Sequence, residues 1–184
     1  KDVHGQDLEA IMAELNLVDG QVLLSKQKVN AEDLALMYNM ADVTINVSDA
    51  EGFGLSTLES LSCGTPIIAT MTGGLQDQLK DEEDNWYGIG LEPASKSIIG
   101  SQEVPYIYED RLAGADVVKA LTDVYKMSED ERYEWGQRGR AWSERQFGFD
   151  AFVERWDALF MDIYENKGSW DTRTGYNNYE VKVY

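Results

Sequence analysis

The sequence predicts a single globular α/β fold in which short buried strands run parallel and helices carry the chain back between them. Three observations carry that prediction. Apolar runs of strand length alternate with stretches of helical period, and glycine or proline marks most of the changeovers. A chain of 184 residues, 43% of them hydrophobic, suffices for one core that removes about 70% of its extended surface from water. No internal repeat or low-complexity segment interrupts the alternation.

Taken in order, Leu8, Ile11, Met12 and Leu15 repeat at helical spacing, so His4 to Leu17 is expected as a helix that Asp19-Gly20 stops. Gln21 to Ser25 is β-prone, Lys26 to Asn30 is a polar loop, and Ala31 to Met40 is a second helix with Leu34, Met37 and Tyr38 on one side. Asp42 to Ser48 reads as a buried strand through Val43, Ile45 and Val47; the loop Asp49 to Gly54 leads from it into a helix over Leu55 to Ser62. Gly64-Thr65-Pro66 ends that helix, Pro66 to Thr70 forms the next strand, and Thr72-Gly73-Gly74 turns into a short helix, Leu75 to Lys80. This βαβα succession implies parallel strands joined by right-handed crossovers.

Beyond Asp81 the pattern weakens. Tyr87 to Leu91 and Val104 to Tyr108 are strand-like, Ser95 to Ser101 is expected as a polar loop, and the stretch 93–113 is expected as an excursion at the sheet edge. Three helices follow, Ala115 to Met127, Glu129 to Gln146 and Asp150 to Asn166, with Ser128 and Asp150 as expected N-caps. Residues 1–168 are thus expected to form the domain and 169–184 a tail rich in Tyr, Asn and charge.

A formal net charge of −18, from 34 acids and 16 bases, repels phosphate backbones and anionic lipid headgroups, so neither nucleic acid nor a membrane is an expected partner. The acids are dispersed, which describes a well-solvated surface. The single cysteine, Cys63, excludes an intramolecular disulfide and a zinc site built on several thiolates, and its apolar neighbourhood predicts an inert packed thiol. The sequence carries no signal peptide, lipidation motif or apolar run near the roughly 18 residues of a membrane span, which leads us to expect a cytoplasmic protein.

The chemistry concentrates in Glu51-Gly52-Phe53-Gly54-Leu55-Ser56-Thr57-Leu58-Glu59, where a strand turns into a helix. Ligands of open α/β sheets bind outside the carboxyl ends of the strands, at such turns. The glycines let backbone approach a ligand, and the free N–H groups of the first helical turn suit a phosphate. Glu51 would repel a phosphate beside it but can accept hydrogen bonds from neighbouring hydroxyls of a sugar ring, each worth about 1.5 to 3 kcal/mol when the acceptor is charged. Glu59, about one turn into the helix and pointing back toward its start, can hold a ribose diol likewise. Diol, pyrophosphate, diol describes a nucleotide sugar. Each piece has a plainer account as well, because acids favour helix N-termini and a Gly-x-Gly turn is common.

The whole string decides between them. Asp42 to Ser48, Glu51-Gly52-Phe53-Gly54-Leu55 to Glu59, Gly64-Thr65-Pro66-Ile67-Ile68-Ala69 and Gly73-Gly74 together resemble the C-terminal, donor-binding domain of family 4 retaining glycosyltransferases of the GT-B fold. The resemblance is specific over about residues 20–92 and looser to about 166. It implies a Rossmann-like three-layer α/β/α parallel sheet forming the C-terminal half of a two-domain enzyme, whose N-terminal acceptor-binding domain is missing here. It further implies a hexosyltransferase that moves a sugar from a nucleotide-diphosphate sugar to an acceptor with retention, needing no metal and no cofactor beyond the donor substrate. In these terms Glu51 is the catalytic-site residue on the donor sugar. Gly52, Phe53, Gly54 and Leu55, with Gly73 and Gly74, lie against sugar and diphosphate, Glu59 binds the ribose, and the base rests on the loop Ser25 to Val29, at Lys28 and Val29. The Arg and Lys pair that normally stabilises the leaving diphosphate is absent, and with it the basis for transfer by this chain alone. Val47 stands where the family often has Pro, and 93–113 is longer than the usual link. The alternatives are a non-catalytic nucleotide-sugar-binding module, a truncated remnant, or a GT-B enzyme using the same grip for epimerisation or phosphorolysis.

Other motifs weigh less. His4, the only histidine, leaves no Ser-His-Asp triad in view. Asp81-Glu82-Glu83-Asp84 is expected as solvated surface, because consecutive acids diverge. Asn46-Val47-Ser48 fits a glycosylation sequon, but on a strand expected to be buried. Trp135, Trp142, Phe147, Phe149, Phe152 and Trp156 are expected in the core by their helical spacing, whereas Trp170, Tyr176 and Tyr179 in the tail suit docking onto the N-terminal domain.

Overall fold

The computed structural model describes residues 6–168 and Thr172. The chain divides into two units, Lys1–Leu34 and Ala35–Tyr184. His4, Trp170, Tyr176 and Tyr179, and the expected tail apart from Thr172, lie outside the described residues.

In the first unit, α1 (Leu8–Glu14) starts where the Asp7 carboxylate accepts the Ala10 N–H at 3.1 Å. Lys26 pairs with Glu9. The strand expected at Gln21 to Ser25 does not form among the described residues. An extended run is stabilised by its ladder, and this one has no paired neighbour; Leu23 stands 86% exposed. The helix α2 (Ala31–Met40) has the expected bounds and runs from this unit into the second, which begins at Ala35; the Asn30 side chain accepts the Asp33 N–H at 2.8 Å in its first turn.

In the second unit, β1 (Thr44–Asn46) leads to α3 (Leu55–Cys63), β2 (Ile67–Thr70), α4 (Leu75–Leu79) and β3 (Ile89–Leu91). The sheet order is β1-β2-β3, all parallel, with Ile45 opposite Ile68 and Ala69 opposite Gly90. Every residue of β2 is buried, and its side chains alternate between two cores. Ile67 and Ala69 pack with Leu61, Met71, Leu75 and Leu79 on the α3 and α4 side. Ile68 packs with Leu91, Ala120, Val124 and Trp135 on the other. Helices therefore cover both faces of the parallel sheet, as the strand and helix alternation predicts. The expected buried strand Asp42 to Ser48 is shorter and lies at the edge: Val43 packs into the second core, but Ile45 and Val47 are exposed. An apolar run marks a strand without saying how many neighbours it will have.

The region 93–113 departs most. The expected polar loop contains β4 (Ser95–Ile98), and the later strand falls at β5 (Tyr108–Arg111) instead of Val104 to Tyr108. The two pair antiparallel, Lys96 opposite Asp110, as a sheet of their own. Their polar sequences carry no apolar alternation to reveal them.

Three helices close the described chain: α5 (Gly114–Lys126), α6 (Glu129–Phe147) and α7 (Phe149–Lys167). Ser128 and Glu131 form a reciprocal capping box at the start of α6. Asp150 is not the cap of α7. The break between the helices is so short that Gly148 closes one and opens the other, leaving Asp150 in the first turn. Trp135 and Trp142 are buried as expected, and the Trp142 indole N–H donates to the Gln78 carbonyl at 2.9 Å while its ring stacks on Tyr87. Phe149, Phe152 and Trp156 are not core: α7 has no buried residue, and these rings lie exposed in a row that ends at Phe160. Helical spacing put them on one face, but nothing among the described residues covers it.

Asp81 organises the turn after α4. Its carboxylate accepts from Glu83 and Asn85 N–H, the Asn85 amide and the Tyr87 hydroxyl. Partial desolvation pushes its pKa up, but those four donors outweigh it and hold the value at about 2. No group of three or more metal-ligating side chains gathers among the described residues, in this acidic run or elsewhere. No helix there is long and apolar enough to cross a membrane. Cys63 is half-buried, and burial first, then the Glu59 charge, pushes its thiol up, away from the reactive thiolate.

Candidate functional site

The site begins at the carboxyl end of β1, where Asn46 uses its whole amide. Its Oδ1 accepts from the Ser48 N–H at 3.1 Å and the Ser48 hydroxyl at 2.6 Å, and its Nδ2 donates to Thr57 Oγ1 at 3.2 Å and Ser56 Oγ at 3.4 Å. The strand end is thereby tied to the first turn of α3, which also occupies the nitrogen of the sequon. Thr44 and Ser60 hydroxyls, 2.5 Å apart, add a second tie.

Between these ties the chain passes through Glu51 to Gly54. Gly54 is the N-cap of α3 at φ 87°, ψ 62°, a left-handed conformation that favours glycine. Having no side chain, it leaves the helix start uncapped, and among the described residues the N–H groups of Leu55 and Ser56 have no acceptor. Free N–H groups at a helix start are donors that an anion can take. Glu51 is half-exposed at the mouth, with Oε1 accepting the Gly52 N–H at 3.0 Å and no other hydrogen bond among the described residues. Its second oxygen is open to a hydroxyl-bearing ligand.

Gly73 and Gly74 press on this loop. The Gly74 N–H donates to the Gly52 carbonyl at 2.9 Å, and a Cβ on Gly73, at φ 49°, would stand 1.8 Å from the Glu51 carbonyl oxygen. The Gln78 amide, wholly buried, donates to the Phe53 carbonyl at 2.6 Å. The Phe53 ring meets Phe147 edge-on at 6.1 Å. Two consecutive carbonyls of the loop are thus held from below.

Glu59 is exposed on α3, and its Oε2 accepts the Tyr38 hydroxyl at 3.0 Å. Desolvation by burial, then the hydrogen bond and charge of Glu59, raise the Tyr38 pKa to about 12. The phenol therefore stays a donor, fixing the Glu59 side chain while leaving its other oxygen free for a diol.

The structure thus brings Glu51, Gly52, Phe53, Gly54, Leu55, Gly73 and Gly74 into one contact set, with Glu59 a turn further along α3. Lys28, exposed, and Val29, half-buried, belong to the first unit. Tyr38 and Gln78 were not predicted from the sequence. The sequence carried no signal for Gln78, whose burial only the fold shows; Tyr38 lay on a predicted helix face without a named partner. The hairpin also reaches this end of the sheet: the Asp110 N–H donates to the Asp49 carbonyl at 2.7 Å, and Arg111 pairs with both Asp49 and Glu109.

The sequence matches the family described as glycosyl transferases group 1 over residues 4–98. A D-inositol 3-phosphate glycosyltransferase of Geodermatophilus obscurus is 31% identical over 142 residues, 72% of this chain and 31% of that protein. One of Xylanimonas cellulosilytica is 29% identical over 159 residues, 86% of this chain and 31% of that protein. The chain therefore spans about a third of the length of these relatives. Among solved structures, sucrose-phosphate synthase from Thermosynechococcus elongatus superposes with a TM-score of 0.63 at 24% identity, over 86% of this chain and 34% of its own. The C-terminal domain of a glycosyl transferase group 1 family protein from Francisella tularensis superposes at 0.56 and 21% identity, over 77% and 61%. At such identities the likeness is one of fold, that of the GT-B glycosyltransferases.

Proposed function

We propose that this chain, which belongs to the glycosyl transferases group 1 family, is the donor-binding half of a retaining, metal-independent transferase that draws its sugar from a nucleotide-diphosphate sugar. The observation that carries the reading is the uncapped start of α3, with free N–H groups at Leu55 and Ser56 between two available carboxylates. The diphosphate would take those N–H groups and the positive end of the helix, which offsets leaving-group charge without a metal. Glu51 would accept hydroxyls of the sugar, and Glu59, held by Tyr38, the ribose diol. Transfer would also require an acceptor-binding domain and cations on the diphosphate. Retention and independence from metal rest on the family resemblance.

Amide-resolved NMR of the chain titrated with UDP, GDP and ADP tests the anion site. The Leu55 and Ser56 N–H resonances should shift the most on adding the nucleotide that binds, in the presence of a metal chelator. Shifts confined to other segments, or binding that requires the metal, would overturn the reading.

A further inference from the structure

A cleft of about 470 Å³ opens beside the Gly73 turn, between the end of the sheet and the hairpin, lined by Thr72, Gly73, Gln76, Glu92, Lys96 and Asp110 among others. Gly73 is the residue wedged against Glu51, so the cleft adjoins the place assigned above to the transferred sugar. Its far wall is the β4–β5 hairpin, whose second strand lies beyond the residues that match the family.

Asp110 is the informative residue there. It is only 9% exposed, and its backbone N–H is spent on the Asp49 carbonyl, which fixes it two residues from Glu51 in the neighbouring loop. Among the described residues its Oδ1 takes no hydrogen bond; Lys96 on the opposing strand stands 3.5 Å away in an ion pair without hydrogen-bond geometry. A carboxylate oxygen so nearly buried without a donor costs about 1 to 3 kcal/mol unless something supplies one. The cleft around it offers carboxylate and amide acceptors, hydroxyl and ammonium donors, and little apolar wall. An anionic ligand would meet Asp110 and Glu92 against a single ammonium. A neutral polyol satisfies every group.

We propose that the hairpin inserted between β3 and α5 forms the outer wall of the sugar pocket, where Asp110 accepts and Lys96 donates hydrogen bonds to hydroxyls of a neutral hexose. This rests on the donor reading given above and names the element that selects the sugar. The pairing of Lys96 with Asp110 across the two strands presents a donor and an acceptor side by side, the spacing that adjacent ring hydroxyls require.

The test is calorimetric titration of the full chain with UDP, GDP and ADP and their glucose conjugates, for the unmodified chain, Asp110→Asn and Lys96→Met, with melting temperatures alongside. Asp110→Asn should weaken the glucose conjugate of the nucleotide that binds by about tenfold and leave the bare nucleoside diphosphate within about twofold. Lys96→Met should do the same to a lesser degree. If both variants lower the melting temperature while the affinity for the conjugate holds, the pair merely staples the hairpin and the proposal fails alone. If the unmodified chain binds neither the diphosphate nor the conjugate, the donor reading fails and takes this proposal with it.

Discussion

Two segments meet at the carboxyl end of the sheet and are held there by opposite means. The Glu51-to-Glu59 segment is fixed by backbone contact and short buried bonds: Gly74 N–H to Gly52, Gln78 to Phe53, Asn46 to the first turn of α3, with no cation involved. The β4–β5 hairpin is tied to the neighbouring loop by one exposed ion pair, Arg111 to Asp49, and one backbone bond, Asp110 N–H to the Asp49 carbonyl. Backbone wedged by glycine tolerates no added atom and ignores salt, whereas exposed ion pairs yield to both. The first mode suits a grip on features every donor shares. The second suits a wall that can be exchanged to change the sugar.

Breaking the wedge should have the largest effect. Gly73→Ala forces a Cβ against the Glu51 carbonyl in a left-handed conformation, and a loss of about 3 kcal/mol is expected in urea unfolding. Gly52→Ala, which meets nothing within 4 Å, should cost no more than about 1 kcal/mol. Equal losses at the two positions would mean that the wedge does not hold the loop.

A smaller effect is expected at the tie to Glu59. Tyr38→Phe removes the hydroxyl that orients the carboxylate, which should weaken nucleoside diphosphate binding about threefold. The Tyr38 hydroxyl titrates at high pH. With its folded pKa at about 12, above the ordinary value of 10.0, Tyr38 contributes stability that is present below about pH 10 and is lost as the pH rises toward 12. The phenolate absorbance difference between the unmodified chain and Tyr38→Phe should therefore titrate near 12; a midpoint near 10 would mean that the hydroxyl is free.

The smallest effect belongs to the hairpin. Arg111→Gln should lower the melting temperature by no more than about 2 °C, with any difference fading at high salt. A large, salt-independent fall would show that the hairpin is built into the core after all.

How much of this was legible follows the same division. The strand, loop, helix, strand and turn from Thr44 to Leu79 were readable because local residues determine them: apolar runs for strands, Gly54, Gly64 and Gly73 for the turns, Pro66 to end the loop. The hairpin was not, because Ser95–Ile98 and Tyr108–Arg111 become strands only by pairing with each other. Nor could sequence separate the helices α6 and α7. Both carry aromatics at helical spacing, yet Trp135 and Trp142 find the sheet and Tyr87 while Phe149, Phe152 and Trp156 find no cover among the described residues. Periodicity names a face; only the assembled chain names its partner. Of the site, the two glutamates and the glycines were visible as a string, whereas Tyr38 and Gln78 act across the fold and leave no trace in spacing.

The central claim, that this loop clasps a nucleotide sugar through two glutamates with separate tasks, is tested most directly by titrating the chain with nucleoside diphosphates and their hexose conjugates in parallel with Glu59→Ala and Glu51→Ala. The account predicts that Glu59→Ala weakens diphosphate and conjugate alike, by roughly tenfold or more, and that Glu51→Ala weakens the conjugate alone. A diphosphate that binds with the same affinity whether or not Glu59 is present would contradict it.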